Sequence, residues 1–225
     1  MSVDTNLIKS PYKREKFNQQ QIEEIVKCTQ DPKYFIENFV WIQHPVKGRL
    51  KFDLFDFQRG LLDAYHNHRY SIALISRQMG KSTAAGAYLL WYAMYVPDQT
   101  ILIAAHKYSG AQEIMQRIRF AYELLPDHVR AGCTAYNKGS LEFDNGSRII
   151  AQATTENTGR GLSISLAYLD EFAFVRPSIA REFWTSLSPT LSTGGKCIIT
   201  STPNQDDDQF AQIWRAACNT IDEFG

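Results

Sequence analysis

Four short apolar runs, separated by longer helical patterns, constrain the fold of this chain more than any other sequence feature. Each run is followed by polar or charged residues, which is typical of a strand buried on both faces of a parallel sheet. Because strands and helices alternate, the pattern predicts an α/β fold with a mostly parallel sheet flanked by helices. The four runs are Ile72–Ile75, Thr100–Ala104, Leu166–Leu169 and Cys197–Thr200.

The remaining segments predict helices and one hairpin. Asn145-Gly146 is a strong turn signal and indicates a β-hairpin inserted between residues 141–143 and 148–151. Residues 44–48 are expected to form a loop, which divides the chain into a small N-terminal helical segment, 1–50, and a main domain, 51–225. Asp56 is expected to cap the third helix. Helices are predicted at 19–29, 32–40, 57–67, 112–125 and 207–220, with a long apolar helix ending before Pro97.

Composition excludes several classes of protein. The chain has 225 residues, with 24 Lys and Arg balanced by 24 Asp and Glu, so its formal net charge is zero. This balance excludes a strongly basic protein that coats nucleic acid, although it permits a local basic strip. A content of 44% hydrophobic and 21% charged residues also argues against disorder.

Neither the cysteines nor the apolar stretches indicate a secreted or membrane protein. The longest nearly apolar stretch, Ala84–Val96, is shorter than the ~18 residues that a membrane span requires. The first ten residues lack the apolar core of a signal peptide. We therefore expect a soluble intracellular protein with reduced thiols and no disulfide framework or zinc site. The four cysteines are Cys28, Cys133, Cys197 and Cys218.

The first predicted strand leads into Gly80-Lys81-Ser82 at the start of a helix. A helix N-terminus directs backbone N–H groups at a phosphate, Lys81 neutralises its charge, and the Ser82 hydroxyl is suited to Mg²⁺. The usual pattern requires another glycine where Ile75 stands. The alternative is an ordinary helix N-terminus with an incidental lysine, but the strand before it and the helix after it favour a phosphate loop.

Asp170 and Glu171 follow a second apolar run. A carboxylate at the end of a buried strand is costly unless it serves a metal or a partner. Asp170 is placed to hold Mg²⁺, and Glu171 to orient and polarise an attacking water. The alternative is that the two acids only cap the loop that leaves the strand.

Hydroxyl side chains follow the last predicted strand, in Thr200-Ser201-Thr202-Pro203. Their hydroxyls are placed to contact a γ-phosphate or the attacking water, and so to sense hydrolysis. Without the other two motifs, an ordinary Ser/Thr/Pro turn is the simpler interpretation.

Together, these motifs resemble the ATPase domain of the large terminase subunit of tailed bacteriophages, the motor that packages DNA into procapsids. The resemblance covers nearly the whole chain and implies a P-loop NTPase fold of the RecA/ASCE type. Residues 76–82, SRQMGKS, resemble the family's deviant phosphate loop, which normally lacks the first glycine. Residues 167–174, AYLDEFAF, resemble its metal and catalytic-glutamate motif, and residues 200–204, TSTPN, resemble its coupling motif.

The resemblance assigns roles to further residues. It implies that Gln58, within FQRGLL, reads adenine, that Arg77 senses the γ-phosphate, and that Arg160, within NTGRG, is an arginine finger for a neighbouring subunit. Gln58 as a polar helix residue and Arg160 as a loop cation are the alternatives. The implied nucleotide contacts are Gln58, Ser76, Arg77, Gln78, Met79, Gly80, Lys81, Ser82 and Thr83. The implied catalytic residues are Glu171, Arg160, Arg77 and Lys81, the metal ligands Ser82 and Asp170, and the coupling residues Thr200, Ser201 and Thr202.

The same resemblance implies ATP as substrate, Mg²⁺ as cofactor and the cytoplasm of an infected bacterium as location. It implies double-stranded DNA, the procapsid portal protein, the small terminase subunit and further copies in a ring as partners. The family's nuclease domain has no room after residue 220, so nuclease activity is not expected. Two other functions stay open: a helicase-like DNA-dependent ATPase, and a portal-docking module that binds nucleotide but hydrolyses little.

Other conspicuous segments favour structural roles. His66-Asn67-His68 is expected at the exposed end of a helix, and the aromatic-rich segment Tyr88–Tyr95 in the core. Asp206-Asp207-Asp208 is expected to be a solvated helix start, because acids favour the first turn.

Overall fold

The computed structural model describes residues 7–159, 161–204 and 208–224. It contains a small two-stranded sheet and a main sheet of seven strands, flanked by helices. The strands are β1 (Trp41–His44), β2 (Gly48–Lys51), β3 (Tyr70–Leu74), β4 (Thr100–Ala105), β5 (Cys133–Tyr136), β6 (Ser140–Phe143), β7 (Arg148–Ala153), β8 (Leu166–Asp170) and β9 (Lys196–Ser201). The helices are α1 (Gln19–Gln30), α2 (Pro32–Phe39), α3 (Asp56–Asn67), α4 (Lys81–Tyr95), α5 (Tyr108–Glu123), α6 (Pro177–Leu191) and α7 (Gln209–Phe224).

The order of strands in the main sheet is β3-β9-β8-β4-β7-β6-β5. The pairs from β3 to β7 are parallel, whereas β6 pairs antiparallel with both β7 and β5. The last strand, β9, therefore lies between β3 and β8. Their register pairs Leu74 with Ser201 and Asp170 with Thr200, so the ends of the three strands meet at one edge.

Alternating side chains along the central strands supply the core on both faces of the sheet. On β4, Ile101 and Ile103 point to the face covered by α4 and α5, whereas Leu102 and Ala104 point to the face covered by α6. This alternation follows from the period of two in a β-strand. Both faces are buried, which explains why β4 is an uninterrupted apolar run.

Helix α4 is buried nearly all round, as its aromatic composition predicts. Tyr88 and Trp91 are buried and stack with their ring centroids 5.7 Å apart. Their polar atoms have partners, because the Tyr88 hydroxyl donates to Tyr65 O at 3.1 Å and Trp91 Nε1 donates to Cys28 O at 2.6 Å. The exposed position of His66-Asn67-His68 at the end of α3 is likewise confirmed.

The N-terminal helices pack against the same core. Phe35 and Ile36 on α2 are fully buried in one cluster with α4 and α5, and Cys28 joins them from α1. The division into residues 1–50 and 51–225 remains a prediction. No helix among the described residues is long and apolar enough to cross a membrane.

Several sequence-based expectations need correction. The first predicted strand is not buried on both faces: β3 is an edge strand in which Ala73 is buried but Tyr70 and Leu74 are 48% and 42% exposed. Asp56 does not cap α3 but is its first residue, and Phe55 occupies the capping position.

Further differences lie outside the main parallel strands. The expected loop at residues 44–48 is the turn of the β1–β2 hairpin. The hairpin at Asn145-Gly146 is confirmed, but β7 also pairs with β4 and so belongs to the main sheet. Strand β5 and helix α6 had no prediction, and α5 begins at Tyr108 instead of Gln112.

Asp208 is buried, so the prediction of a solvated helix start is wrong at this residue. It is only 3% exposed, and its Oδ1 accepts a hydrogen bond from the Ala211 N–H at 2.7 Å. The capping interaction compensates for part of the cost of burying the carboxylate. Asp206 and Asp207 lie outside the described residues.

Candidate functional site

The phosphate-loop candidate forms the connection between β3 and α4. Gln78 and Gly80 have positive φ angles of 63° and 72°, and α4 begins directly afterwards at Lys81. The first N–H groups of a helix have no partner within it and carry its positive dipole end. Ser76, Arg77, Gln78 and Met79 are exposed on the loop, so the helix start is open to an anionic ligand.

Gly80 is required by both its backbone and its surroundings. A Cβ atom at this position would lie 2.7 Å from the side-chain Nε2 of Gln58, in addition to the strain of a positive φ. The sequence pattern identified this glycine for close approach to a phosphate. The structure adds a second reason, which is contact with α3.

Gln58 is 2% exposed, and both ends of its amide contact the protein. Its Nε2 donates to Met79 O at 3.2 Å, and its Oε1 accepts from the Phe55 N–H at 3.1 Å. The side chain thus joins the start of α3 to the phosphate loop. Adenine recognition by Gln58 remains a prediction, and it requires the amide to exchange at least one of these partners.

Asp170 lies at the end of β8 beside the start of α4. The Ser82 hydroxyl donates towards its carboxylate, with distances of 3.2 Å to Oδ1 and 3.3 Å to Oδ2. Neighbouring ligands in an octahedral Mg²⁺ shell with bonds of about 2.1 Å are about 3 Å apart. The hydroxyl and carboxylate therefore fit adjacent ligand positions, directly or through the water that Mg²⁺ tends to keep.

Protein carboxylates alone do not make a metal site here. Among the described residues there is no cluster of three or more His, Cys, Asp and Glu able to hold a metal ion. This fits Mg²⁺ bound through one carboxylate, one hydroxyl, water and substrate phosphates, which is how Mg²⁺ usually binds in phosphate-transfer sites.

Glu171, the next residue, points to a different set of partners. Its Oε1 accepts a hydrogen bond from Lys81 Nζ in an ion pair. Its Oε2 accepts from the N–H and the hydroxyl of Thr202, both at 3.0 Å, and from the Ser201 hydroxyl at 3.4 Å. Glu171 itself has a φ of 51°, a left-handed conformation that a non-glycine residue rarely adopts and that is common at functional sites.

These contacts keep Glu171 ionised. Burial acts to raise the pKa of this carboxyl, but the hydrogen bonds and charge of Lys81 and the hydrogen bonds of Thr202 outweigh it and lower the pKa below 4.5. At neutral pH the side chain is therefore a carboxylate. In this structure the same carboxylate also holds the phosphate-loop lysine.

The three coupling candidates on β9 and after it are buried and adjoin both acids. Thr200, Ser201 and Thr202 are at most 3% exposed. The Thr200 hydroxyl donates to Asp170 Oδ1 at 3.0 Å, whereas Ser201 and Thr202 contact Glu171. The sequence placed these three motifs at the ends of separate strands, and the structure brings them into one hydrogen-bonded group.

Tyr168 belongs to this group, although sequence reasoning did not identify it. Its hydroxyl is 2.9 Å from both Asp170 Oδ1 and Thr200 Oγ1. Burial and the negative charge of Asp170 raise its pKa well above the ordinary value, so the hydroxyl stays neutral. Its spacing of two residues from Asp170 was the available signal, because residues i and i+2 on a strand share a face.

Two other predicted residues have partners away from the acids. The Arg77 guanidinium lies 5.8 Å from the ring centroid of Phe174, just after Glu171. The Thr83 hydroxyl accepts a hydrogen bond from Arg117 at 3.1 Å. Arg160, the predicted arginine finger, lies outside the described residues.

The larger cavities do not coincide with this site. One of about 470 Å³ lies at the opposite edge of the sheet, where residues such as Gln99, Ser165 and Gly195 precede the central strands. Its lining contains no acidic, basic or sulfur-containing side chain. The reactive groups are instead gathered at the carboxyl ends of β3, β8 and β9, where open α/β sheets bind ligands.

Comparison with known structures identifies the fold. The HK97 bacteriophage large terminase is similar with a TM-score of 0.69 and 21% identity, over 86% of this chain and 42% of that one. An ATPase-domain variant of the Thermus phage P74-26 large terminase has a TM-score of 0.56 and 20% identity, over 72% of this chain and 69% of that one. The large terminase of a thermophilic bacteriophage in complex with ADP has a TM-score of 0.59 and 12% identity, over 74% and 43%.

The chain therefore spans less than half the length of the HK97 protein, and the expected P-loop NTPase fold is confirmed. The sequence supplies the family. Residues 72–222 match the family described as "Terminase large subunit, T4likevirus-type, N-terminal". Because this match covers more than half of the chain, the protein belongs to the terminase large-subunit family.

Proposed function

We propose that this chain is the ATPase motor domain of a terminase large subunit, hydrolysing ATP to translocate double-stranded DNA into a procapsid. The observation that carries the proposal is the meeting of a phosphate loop with two differently bound carboxylates, Asp170 with Ser82 and Glu171 with Lys81. One carboxylate is placed for a metal and the other for a water, as phosphoryl transfer to water requires.

Phosphate binding falls to the start of α4. Its backbone N–H groups and Lys81 bind the β- and γ-phosphates, and the exposed Arg77 leaves the Phe174 ring to contact the γ-phosphate. Ser82 and Asp170 would hold Mg²⁺, which when bound neutralises charge on the phosphate oxygens.

Lys81 changes partner as the phosphates arrive. In the structure its ammonium is paired with Glu171 and its side chain is only 9% exposed. When Lys81 moves to the phosphates, Glu171 Oε1 becomes free to accept a proton from the attacking water. Glu171 Oε2 stays fixed by Thr202, so the carboxylate is already oriented.

The direct test of this assignment is Glu171→Gln. The variant is expected to bind ATP and to lose turnover, because the amide cannot act as a base. Glu182→Gln, at an exposed carboxylate on α6, is the matched control and should keep full activity. Unchanged ATP hydrolysis by purified Glu171→Gln protein would exclude Glu171 as the catalytic residue.

Arg160 is proposed to act in trans. Subunits carrying Arg160→Ala should regain ATPase activity when mixed with Glu171→Gln subunits, because each supplies what the other lacks. Mixed rings without recovered activity contradict this role. The effect of an arginine finger is typically 10³–10⁵ in rate, so partial recovery is measurable.

The family also supports proposals for partners and location. We assign double-stranded DNA, the portal protein, the small terminase subunit and further copies of the chain as partners, in the cytoplasm of an infected bacterium. Residues 51–225 form the ATPase unit, with 1–50 as an accessory segment. ATPase assays with and without duplex DNA test the coupling, since a module that only docks on a portal shows little hydrolysis in either case.

A further inference from the structure

Tyr168 is a fully buried polar residue whose hydrogen-bond partners belong to the proposed site. The side chain is 0% exposed on β8, and its hydroxyl lies 2.9 Å from Asp170 Oδ1 and 2.9 Å from Thr200 Oγ1. A buried hydroxyl needs partners, but ordinary core packing satisfies it with a backbone carbonyl, as Tyr88 does with Tyr65 O. Here the partners are the predicted metal ligand and a predicted coupling residue.

The two oxygens of Asp170 are held unequally. Oδ1 is approached by three hydroxyls, those of Tyr168 at 2.9 Å, Thr200 at 3.0 Å and Ser82 at 3.2 Å. Among the described residues Oδ2 is approached only by Ser82, at 3.3 Å. Because the carboxylate is planar, fixing Oδ1 deep in the site also fixes the direction of Oδ2, which faces the start of α4.

The charge of Asp170 has no protein cation beside it. The residue is 8% exposed, and no Lys, Arg or His nitrogen within the described part of the chain lies within 4.0 Å of its carboxylate. Neutral hydroxyls orient such a carboxylate without neutralising it. A buried carboxylate held in this way is suited to a cation supplied from outside.

We propose that Tyr168 is a positioning residue, which fixes the Asp170 carboxylate for Mg²⁺ and links the metal site to Thr200 on β9. The inference rests on the proposed function and deepens it. A change in the position of Asp170 on metal binding is transmitted to Thr200 through the shared hydroxyl. Tyr168 itself does not touch substrate.

The alternative is that the Tyr168 hydroxyl only satisfies its own burial. Both alternatives predict some loss of stability for Tyr168→Phe, so stability does not separate them. Metal affinity does, because loss of a partner that orients a metal ligand typically weakens binding by 10- to 100-fold. A purely structural hydroxyl leaves metal affinity unchanged in the folded protein.

The experiment titrates Mn²⁺ into the full chain with ADP bound and measures free Mn²⁺ by electron paramagnetic resonance. Tyr168→Phe is expected to weaken Mn²⁺ binding about tenfold, while ADP affinity in EDTA stays within twofold of wild type. Excess Mg²⁺ should restore much of the ATPase rate, because the catalytic groups are intact. Unchanged Mn²⁺ affinity in folded Tyr168→Phe overturns the proposal.

Tyr65→Phe is the matched control. Tyr65 is 1% exposed and its hydroxyl has no hydrogen-bond partner in the structure, so the variant removes a buried phenol hydroxyl without removing a contact to Asp170. Its Mn²⁺ affinity should equal that of wild type. A tenfold loss in this control as well would mean that the effect is not specific, and would overturn the proposal.

Thr200→Val provides a second variant if Tyr168→Phe fails to fold. It removes the other hydroxyl on Oδ1 and should also weaken Mn²⁺ binding, whereas unchanged affinity counts against the network. The wild-type result separates the two levels of inference. Wild-type protein without metal-dependent nucleotide binding refutes the proposed function, whereas wild-type binding with an unaffected Tyr168→Phe variant refutes only the positioning role.

Discussion

The ion pair between Lys81 and Glu171 gives a quantitative prediction about the protein without nucleotide. The side chains are 9% and 23% exposed, so the pair is screened by water much less than a surface pair. Replacing Glu171 by Gln leaves a nearly buried ammonium without its carboxylate. Replacing Lys81 by Met leaves a carboxylate that keeps its donors from Thr202 and Ser201.

The expected magnitude lies between two limits. Exposed ion pairs contribute about 0–1 kcal/mol, whereas removing one partner of a fully buried pair costs about 3–5 kcal/mol. Given the partial exposure of Glu171, we expect an interaction energy of about 2 kcal/mol from the double-mutant cycle of Lys81→Met and Glu171→Gln. With a urea m-value of about 2–3 kcal/mol/M, this corresponds to a shift of about 1 M in the unfolding midpoint.

The same pair opposes nucleotide binding, because Lys81 must leave Glu171 to reach the phosphates. Glu171→Gln removes this competition, so it should bind a non-hydrolysable ATP analogue more tightly than wild type. If most of the ~2 kcal/mol is recovered, the gain is about 10- to 30-fold. Titration of a fluorescent analogue measures it, with Glu182→Gln as the control.

Two results would refute this reasoning. An interaction energy below about 0.5 kcal/mol in the urea cycle means that the pair does not form in solution. Equal or weaker analogue binding by Glu171→Gln means that release of Lys81 does not limit affinity. Either result would also remove the argument that Glu171 is freed when nucleotide binds.

The other predictions concern the phosphate loop and the titration of the acid. Gly80→Ala should abolish binding of a fluorescent ATP analogue because its Cβ meets Gln58 at 2.7 Å, whereas Gly60→Ala, with nothing within 4 Å, should bind normally and be about 0.5–1 kcal/mol more stable. Normal binding by Gly80→Ala would contradict the close packing of the loop. Because the pKa of Glu171 is lowered in the folded state, its contribution to stability is complete above pH 4.5 and is lost as pH falls further through its folded pKa. Urea unfolding from pH 7 to pH 3.5 should therefore bring wild type and Glu171→Gln closer in stability, and a constant difference would contradict the lowered pKa.

The meeting of the three motifs could be predicted from sequence because the carboxyl ends of parallel strands share one edge of the sheet. The pairing of Glu171 with Lys81 could not. Pattern reasoning assigns each residue to a ligand that it is expected to bind, whereas the unliganded protein must satisfy the same charges internally. Gln58 illustrates the same limit, since its amide is used for packing α3 against the phosphate loop.

Other differences arise where local pattern and tertiary position disagree. An apolar run such as that of β3 has the same composition at the edge of a sheet as in its centre, so the exposure of Leu74 depends on strand order. Tyr168 lies in an apolar run and has the appearance of a core residue. Its polar partner on β9 is separated from it by 32 residues, and no local signal reports that contact.

Strand order also explains why the coupling candidates contact both acids. Because β9 lies between β3 and β8, the phosphate loop and the acidic pair are not on adjacent strands. The end of β9 fills the space between them, which places Thr200 against Asp170 and Thr202 against Glu171. A shift of either carboxylate towards a bound nucleotide must therefore stretch or break a hydrogen bond to β9 or to the residue that follows it. The sensing of the nucleotide by this strand is a consequence of the topology, and the individual hydroxyls determine only how strongly each step is transmitted.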